Sequence, residues 1–311
     1  AREATFDGAT LATASFRGAT LARATFTEAT LRNAVARDAD LTAAGFRGAD
    51  LRGIVLEGAT VSGADLGETN LRRADCTDAS LEAATLDEAD LREAALERVR
   101  LTRGTLVGAR LDQTRFTEAD LREAVIRGAA GENVSFRGAR LTAADLTGVS
   151  FRGGDFTEAV LRRATLGHAT LTGASFDRAD LGEASLGDAT FSTATFVDAR
   201  LVGATASGAD FDGADFTDAD LTEARLTGVD CYSAVFTRAN LRAADLSASS
   251  LSAATLVDAV LWDTTFDGAA LEDADLRDAF VWRTDFTDAA LPAGATAELE
   301  AANPKLPEGS P

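Results

Sequence analysis

Hydrophobic positions recur along this chain every five residues, from Phe6 to Leu291, without a slip of phase. Of the 58 positions in this frame, 57 hold Leu, Phe, Val, Ile, Ala or Cys, and only Gly131 departs. Two residues before each centre lies a second small position, Ala4, Ala9 and onward to Ala289, which is Ala in 46 of 58 cases. A period of five with two inward positions fits neither a helix at 3.6 nor a strand at 2. It predicts a solenoid, in which each short segment turns a corner and the chain stacks on itself.

A longer period sets the size of one coil. Phe116, Phe136, Phe156, Phe176, Phe196, Phe216 and Phe236 are spaced by 20, as are Phe6, Phe26 and Phe46, and Phe266 and Phe286. Four pentapeptides per coil would place like residue above like residue, so the phenylalanines should form aromatic ladders in the core. The 58 repeats then make 14.5 coils, about 70 Å tall at a strand spacing of roughly 4.8 Å. The unbroken phase predicts one body over residues 1–293 and a separate segment over 294–311.

The unit Ala-Asp-Leu-x-x, as in Ala49-Asp50-Leu51-Arg52-Gly53 and Ala119-Asp120-Leu121-Arg122-Glu123, resembles the pentapeptide-repeat family over about residues 2–293. The resemblance implies an all-β fold, a right-handed quadrilateral β-helix. Some family members mimic duplex DNA in shape and charge and bind DNA gyrase, inhibiting it or protecting it from poisons; many others have no assigned role. Family membership therefore speaks more to fold than to function. Some gyrase-protecting members carry loops projecting from the coil. The frame here admits no inserted loop, which weakens the protector reading in particular.

Composition narrows the chemistry. No apolar run approaches the roughly 20 residues of a membrane span, and no signal peptide is visible. The chain starts in repeat phase at Ala1 and contains no Met, so a start removed or a piece of something longer is expected. An open first coil would expose apolar side chains and strand edges, which predicts a cap or a partner there. Basic residues are almost all Arg, a weak hint of a GC-rich bacterial source. Cys76 and Cys231 both fall at inward centres, about 37 Å apart at the strand spacing, far beyond disulfide reach. They read as core fillers in a reducing, cytoplasmic compartment. One histidine, His168 at an outward position, and two distant cysteines supply neither a metal cluster nor a nucleophile–base pair. No cofactor, metal or catalytic residue is expected. The glycines at the second outward position, such as Gly8, Gly18 and Gly48, read as turn chemistry rather than a phosphate loop.

Charge is the next candidate for function. The chain carries 50 acidic and 30 basic residues, net −20. Residues 1–150 hold 23 acidic against 19 basic residues, and residues 151–311 hold 27 against 11. The densest stretch is Asp210, Asp212, Asp215, Asp218 and Asp220, with Asp230 expected one coil above Asp210. This surface is either a plain solubilising one or a mimic of the phosphate backbone. Direct nucleic-acid binding is disfavoured by the sign of the charge. Arg32, Arg52, Arg72 and Arg92, spaced by 20, should form a ladder near Asp50 and Asp90. Surface ion pairs are the favoured reading of that ladder; a groove for an acidic partner is the other.

Both tryptophans lie near the end of the frame. Val260, Trp262, Phe280 and Trp282 take outward positions around Leu261 and Val281, one coil apart, and should form a single apolar patch. Exposed clustered aromatics mark contact surfaces. Either Leu299 and Leu306 of the tail fold back over the rings, or a second copy or another protein covers them; the family resemblance adds weight to a homodimer through the C-terminal end. Ala295–Ala302 predicts a short capping helix, stopped by Pro304 and Pro307. Gly131, Ala36 and Ala206 underfill central slots, with a bulge or water near Gly131 as the expected consequence. Two functions follow: a non-enzymatic DNA mimic acting on a type II topoisomerase such as DNA gyrase, or a structural scaffold docking through the tryptophans.

Overall fold

The computed structural model describes residues 2–295. The predicted helix beyond Ala295, together with Leu299 and Leu306, lies outside the described residues. One compact unit ends at Val160 and a second begins at Leu161.

Within each unit, the residue before every centre bridges in parallel to the residue 20 further on: Thr30 to Asp50 to Asn70 to Asp90 in the first, Thr190 to Asp210 to Asp230 to Ser250 in the second. Each unit is therefore a solenoid whose backbone stacks on itself every 20 residues. The hydrogen bonds explain why five residues suffice. In the repeat Thr30–Ala34, the Thr30 N–H donates to the Ala9 carbonyl one coil back, and the Leu31 N–H donates to the Asp50 carbonyl one coil on, at 2.9 and 2.8 Å. The Asn33 N–H donates to the Arg52 carbonyl, and the Ala34 N–H closes a turn onto the Leu31 carbonyl, at 2.8 and 3.0 Å. That turn needs a left-handed residue at its third position, the signature of a type II turn. Residues at this position take φ near +52° to +71° throughout, whether Gly48 or side-chain-bearing Asn33 and Thr193. The recurrent glycines sit here because they alone adopt this conformation without cost.

One donor in each repeat remains. The N–H of the residue after the centre, Arg32 in this example, has no backbone acceptor among the described turn and coil bonds. A backbone donor left unpaired away from water costs about 1–3 kcal/mol, so the sequence must supply an acceptor from a side chain or leave the donor to solvent.

The centres fill the interior. Phe26, Phe46, Phe116 and Phe136 of the first unit and Phe176, Phe196, Phe216 and Phe236 of the second are fully buried. Rings 20 apart stack with centroids 4.9 Å apart for Phe26–Phe46, 5.1 Å for Phe116–Phe136 and 4.7 Å for Phe196–Phe216. Where Thr replaces the small Ala, its hydroxyl finds a main-chain carbonyl: Thr114 donates one coil back to Leu91 at 2.9 Å and Thr264 to Leu241 at 2.8 Å, while Thr69 donates to Leu66 of its own turn at 2.6 Å. At Gly131 the bridging on either side keeps its phase, with no residue inserted. A Cβ at Gly131 would lie 2.6 Å from the Leu111 carbonyl carbon and 2.8 Å from the Asp112 nitrogen. At the start of the first unit Phe6, Leu11 and Phe16 are only half-buried.

Candidate interaction surface

The aspartates of the acidic stretch do not form a free field of charge. Every aspartate at the residue before a centre accepts a hydrogen bond from the N–H two residues on, the donor that the coil leaves unpaired. In the first unit Asp40 serves Thr42, Asp65 serves Gly67, Asp75 serves Thr77 and Asp145 serves Thr147. In the second, Asp210 serves Asp212, Asp215 serves Thr217, Asp220 serves Thr222 and Asp230 serves Tyr232, all within 2.9–3.1 Å. Asn70 and Asn240 do the same for Arg72 and Arg242. This is Asx-turn chemistry, and it explains why the repeat favours Asp before Leu. A second route uses the neighbouring coil, where Asp87 accepts from the Val107 N–H and Asp177 from the Val197 N–H.

The arginine ladder of the first unit builds on the same aspartates. Arg52 reaches back to Asp50 with Nε and Nη2 at 2.9 and 2.8 Å, and Arg32 reaches the same carboxylate at 2.6 Å. The Arg52 bond, with Arg32 adding to it, holds the Asp50 carboxyl down at about 2. Arg92 clasps Asp90 and Arg122 clasps Asp120 in the same way. At Asp90 burial pushes the carboxyl up, and the Arg92 bonds and charge together overcome it. Arg72 differs: its nearest acid is Glu93, at 3.7 Å.

In the acidic stretch itself only Asp218 is matched, by Arg238 at 2.7 and 2.5 Å. Among the described residues no ion pair reaches Asp210, Asp212, Asp215, Asp220 or Asp230. Asp210 also takes a hydrogen bond from Ser192 at 2.7 Å, and Thr217 and Thr222 bond Asp215 and Asp220 at 2.6 Å. Asp210 and Asp230 are bridge partners, one strand spacing apart.

The aromatic residues near the end of the frame behave otherwise. Here the bridges lengthen into two short strands, β1 (Val260–Trp262) and β2 (Phe280–Trp282), paired in parallel with Val260 opposite Phe280 and Trp262 opposite Trp282. Leu261 is buried beneath them, while Val260 and Val281 are half-buried. Trp262, Phe280 and Trp282 keep 44%, 56% and 59% of their surface in solvent. With Arg242, Asp263 and Val281 they line a groove of about 410 Å³. Asp263 is tied to Arg283 at 3.1 Å. The four residues picked out in the sequence thus do come together.

The remaining candidates for chemistry stay apart. Cys76 and Cys231 are free and buried; burial pushes the Cys76 thiol up to about 12 and the Cys231 thiol higher still, far from reactive thiolates. His168 is exposed, with Nδ1 3.8 Å from Asp188. No group of three metal-ligating side chains occurs among the described residues. Nor, among them, is any helix long and apolar enough to cross a membrane.

Sequence comparison agrees with this geometry. The family model described as pentapeptide repeats (8 copies) matches in successive windows from residues 2–35 to residues 254–291. The chain belongs to the pentapeptide-repeat family. Solved pentapeptide-repeat structures similar to it include HetL, involved in heterocyst differentiation regulation in the cyanobacterium Nostoc sp. strain PCC 7120. That match has 28% identity and a TM-score of 0.31, covering 80% of this chain and 89% of HetL. QnrB1, a plasmid-mediated fluoroquinolone resistance protein, matches at 22% identity and a TM-score of 0.37 over 63% of this chain and 93% of its own. A pentapeptide repeat protein from the Arabidopsis thaliana thylakoid lumen matches at 23% identity and a TM-score of 0.16, over 56% and 83%. No curated protein matches the pentapeptide-repeat chain in sequence. Family membership rests on the sequence windows, since these superpositions are all low.

Sequence reasoning found the aromatic patch but missed what the aspartates do. The signal was present: Asp recurs at the residue before the centre, the one place from which a short carboxylate reaches the N–H two residues on.

Proposed function

We propose that this chain is a non-enzymatic protein-docking solenoid whose contact face is the paired edge Val260–Trp262 and Phe280–Trp282. One observation carries the reading. Three large aromatic side chains stand in solvent on one face, in a protein whose other aromatics, Tyr232 excepted, are turned into the core. Exposed Trp clusters of this kind supply the energy of protein contacts. The occupant to test first is a second copy of the chain, giving a homodimer through the C-terminal end. Family membership supports a right-handed, four-sided coil beneath this face, and two buried unpaired thiols suit the reducing cytoplasm. The chain would act alone or as a scaffolding domain of a larger assembly.

The test is light scattering and pull-down with Trp262→Asp combined with Trp282→Asp. The docking reading expects the parent to associate and the double variant to stay monomeric. Unchanged assembly would remove this face from consideration.

A second reading is a DNA mimic that modulates DNA gyrase or another type II topoisomerase through Asp210, Asp212, Asp215, Asp218, Asp220 and Asp230. Its support is the group of five carboxylates without a cation partner. Its weakness is that Asp210, Asp215, Asp220 and Asp230 already cap turns. Asp212→Arg is therefore a cleaner probe than Asp215→Arg, because Asp212 caps nothing in the described structure. Inhibition of supercoiling by the parent, lost in Asp212→Arg, would favour mimicry; no effect at micromolar protein would end it.

A further inference from the structure

The arginine ladder contains one rung built differently from its neighbours. Asp50, Asn70 and Asp90 occupy successive coils in one column. At Asp50 and Asp90 the carboxylate does two jobs: it caps the turn and clasps the arginine two residues on. At Asn70 only the first survives. The Asn70 Oδ1 still accepts the Arg72 N–H at 3.3 Å, but an amide carries no charge with which to hold the guanidinium. Arg72 is left with Glu93 at 3.7 Å, and that carboxylate is already engaged by Arg73 at 2.8 and 3.4 Å. By contrast Arg162, which also precedes a second arginine, has two acids within 3.5 Å, Asp180 and Glu183.

The consequence is a local excess of positive charge in a strongly acidic protein. Among the described residues, Arg32, Arg52, Arg72 and Arg73 face only Asp50 and Glu93 as ion-pair partners, an excess of two positive charges. Arg52, Arg72 and Arg73, with Asn33 and Gly53, line a groove of about 530 Å³. Gly53 takes the left-handed turn position of its repeat, at φ +64°, with the Asn33 Oδ1 beside it. The Arg52 and Arg72 side chains retain 42% and 39% of their surface, and Arg52, whose Nε and Nη2 are held by Asp50, still offers Nη1. Guanidinium forks bind oxyanions in a bidentate manner, and phosphate most of all where several converge.

We infer that the groove between Arg52, Arg72 and Arg73 is a binding site for a phosphate dianion, free or as a phosphomonoester. A dianion matches the two uncompensated charges, which a single carboxylate would only half neutralise.

The test is a calorimetric titration of the full chain with inorganic phosphate at low ionic strength, repeated with Asn70→Asp and Arg72→Gln. Asn70→Asp is the sharper variant, since it keeps the turn cap and restores the clasp seen at its neighbours. Saturable phosphate binding is expected, weakened at least tenfold by either change and untouched by Arg122→Gln on another column. Acetate should bind at least tenfold more weakly than phosphate. Absence of saturable binding, or binding that Asn70→Asp and Arg72→Gln leave unchanged, overturns the site; acetate binding as tightly as phosphate overturns the dianion assignment. Circular dichroism of each variant separates lost binding from lost folding.

Discussion

Two faces of the second unit invite comparison, the acidic one around Asp210–Asp230 and the aromatic one around Trp262 and Trp282. Both stand out in the sequence, and both lie on outward positions of the same repeat. On the acidic face most of the conspicuous side chains are already in use. Asp210, Asp215, Asp220 and Asp230 each hold the one backbone N–H that the coil cannot satisfy. On the aromatic face the coil needs only Leu261 and Val281 at the centres, and the rings beside them do nothing for the fold that Thr or Asp would not do elsewhere. A repeated residue is best explained by the repeat; a residue that breaks the repeat's habits is the better pointer to function.

The largest expected effect separates the faces directly. Replacing Trp262 and Trp282 by Asp removes two aromatic anchors from each copy, each worth about 2 kcal/mol at a well-packed contact, so self-association should weaken by at least about a thousandfold. Thermal unfolding of the same variant should move little, by less than about 0.5 kcal/mol, because both rings are surface residues. A large loss of stability would mean that the rings belong to the core after all.

Next in size is Asp50 in the first unit, a capping aspartate shared by Arg32 and Arg52. Asp50→Ala should cost about 2 kcal/mol in chemical denaturation at pH 7, judged from a carboxyl held at about 2 against an ordinary 3.9 when unfolded. The sign is that of a depressed carboxylate. The contribution is complete above about pH 4 and is lost as pH falls through about 2. Parent and variant stabilities should therefore converge in acid; a gap that persists at pH 2 would assign the cost to packing instead of charge.

Smaller again is the contrast within the acidic face. Asp220→Ala strands the Thr222 N–H and should destabilise by about 1 kcal/mol. Asp212→Ala, which removes a carboxylate with no capping role, should lie within about 0.5 kcal/mol of the parent. Equal effects at the two sites would mean that the turn caps contribute nothing.

Much of the fold was legible because it depends on side-chain size. The five-residue frame, the 20-residue coil and the phenylalanine ladders follow from which positions can hold a ring and which only a methyl, and the structure stacks Phe176, Phe196, Phe216 and Phe236 accordingly. The aromatic patch was legible for the same reason. The roles of the polar residues were not. Whether Asp215 is a free charge or a turn cap depends on which backbone donors the coil leaves over, and that emerges only when every N–H is traced to its acceptor. Arg72 shows the same limit: its spacing marks it as a rung, but its freedom follows from an Asn at residue 70 in place of Asp. Gly131 was read as an underfilled slot; the structure adds that a Cβ there would press on Leu111, Asp112 and Val134.

Both tryptophans of the chain sit on the proposed docking face, so their fluorescence reports on it without any label. Acrylamide quenching should therefore be followed across a protein dilution series, with mass measured in parallel by light scattering. A docking face predicts that both rings are freely quenched in the dilute monomer and become shielded, with a blue-shifted emission, as the chain associates. Rings equally shielded at every dilution in a particle of monomer mass, or equally quenched in an assembled one, would contradict it.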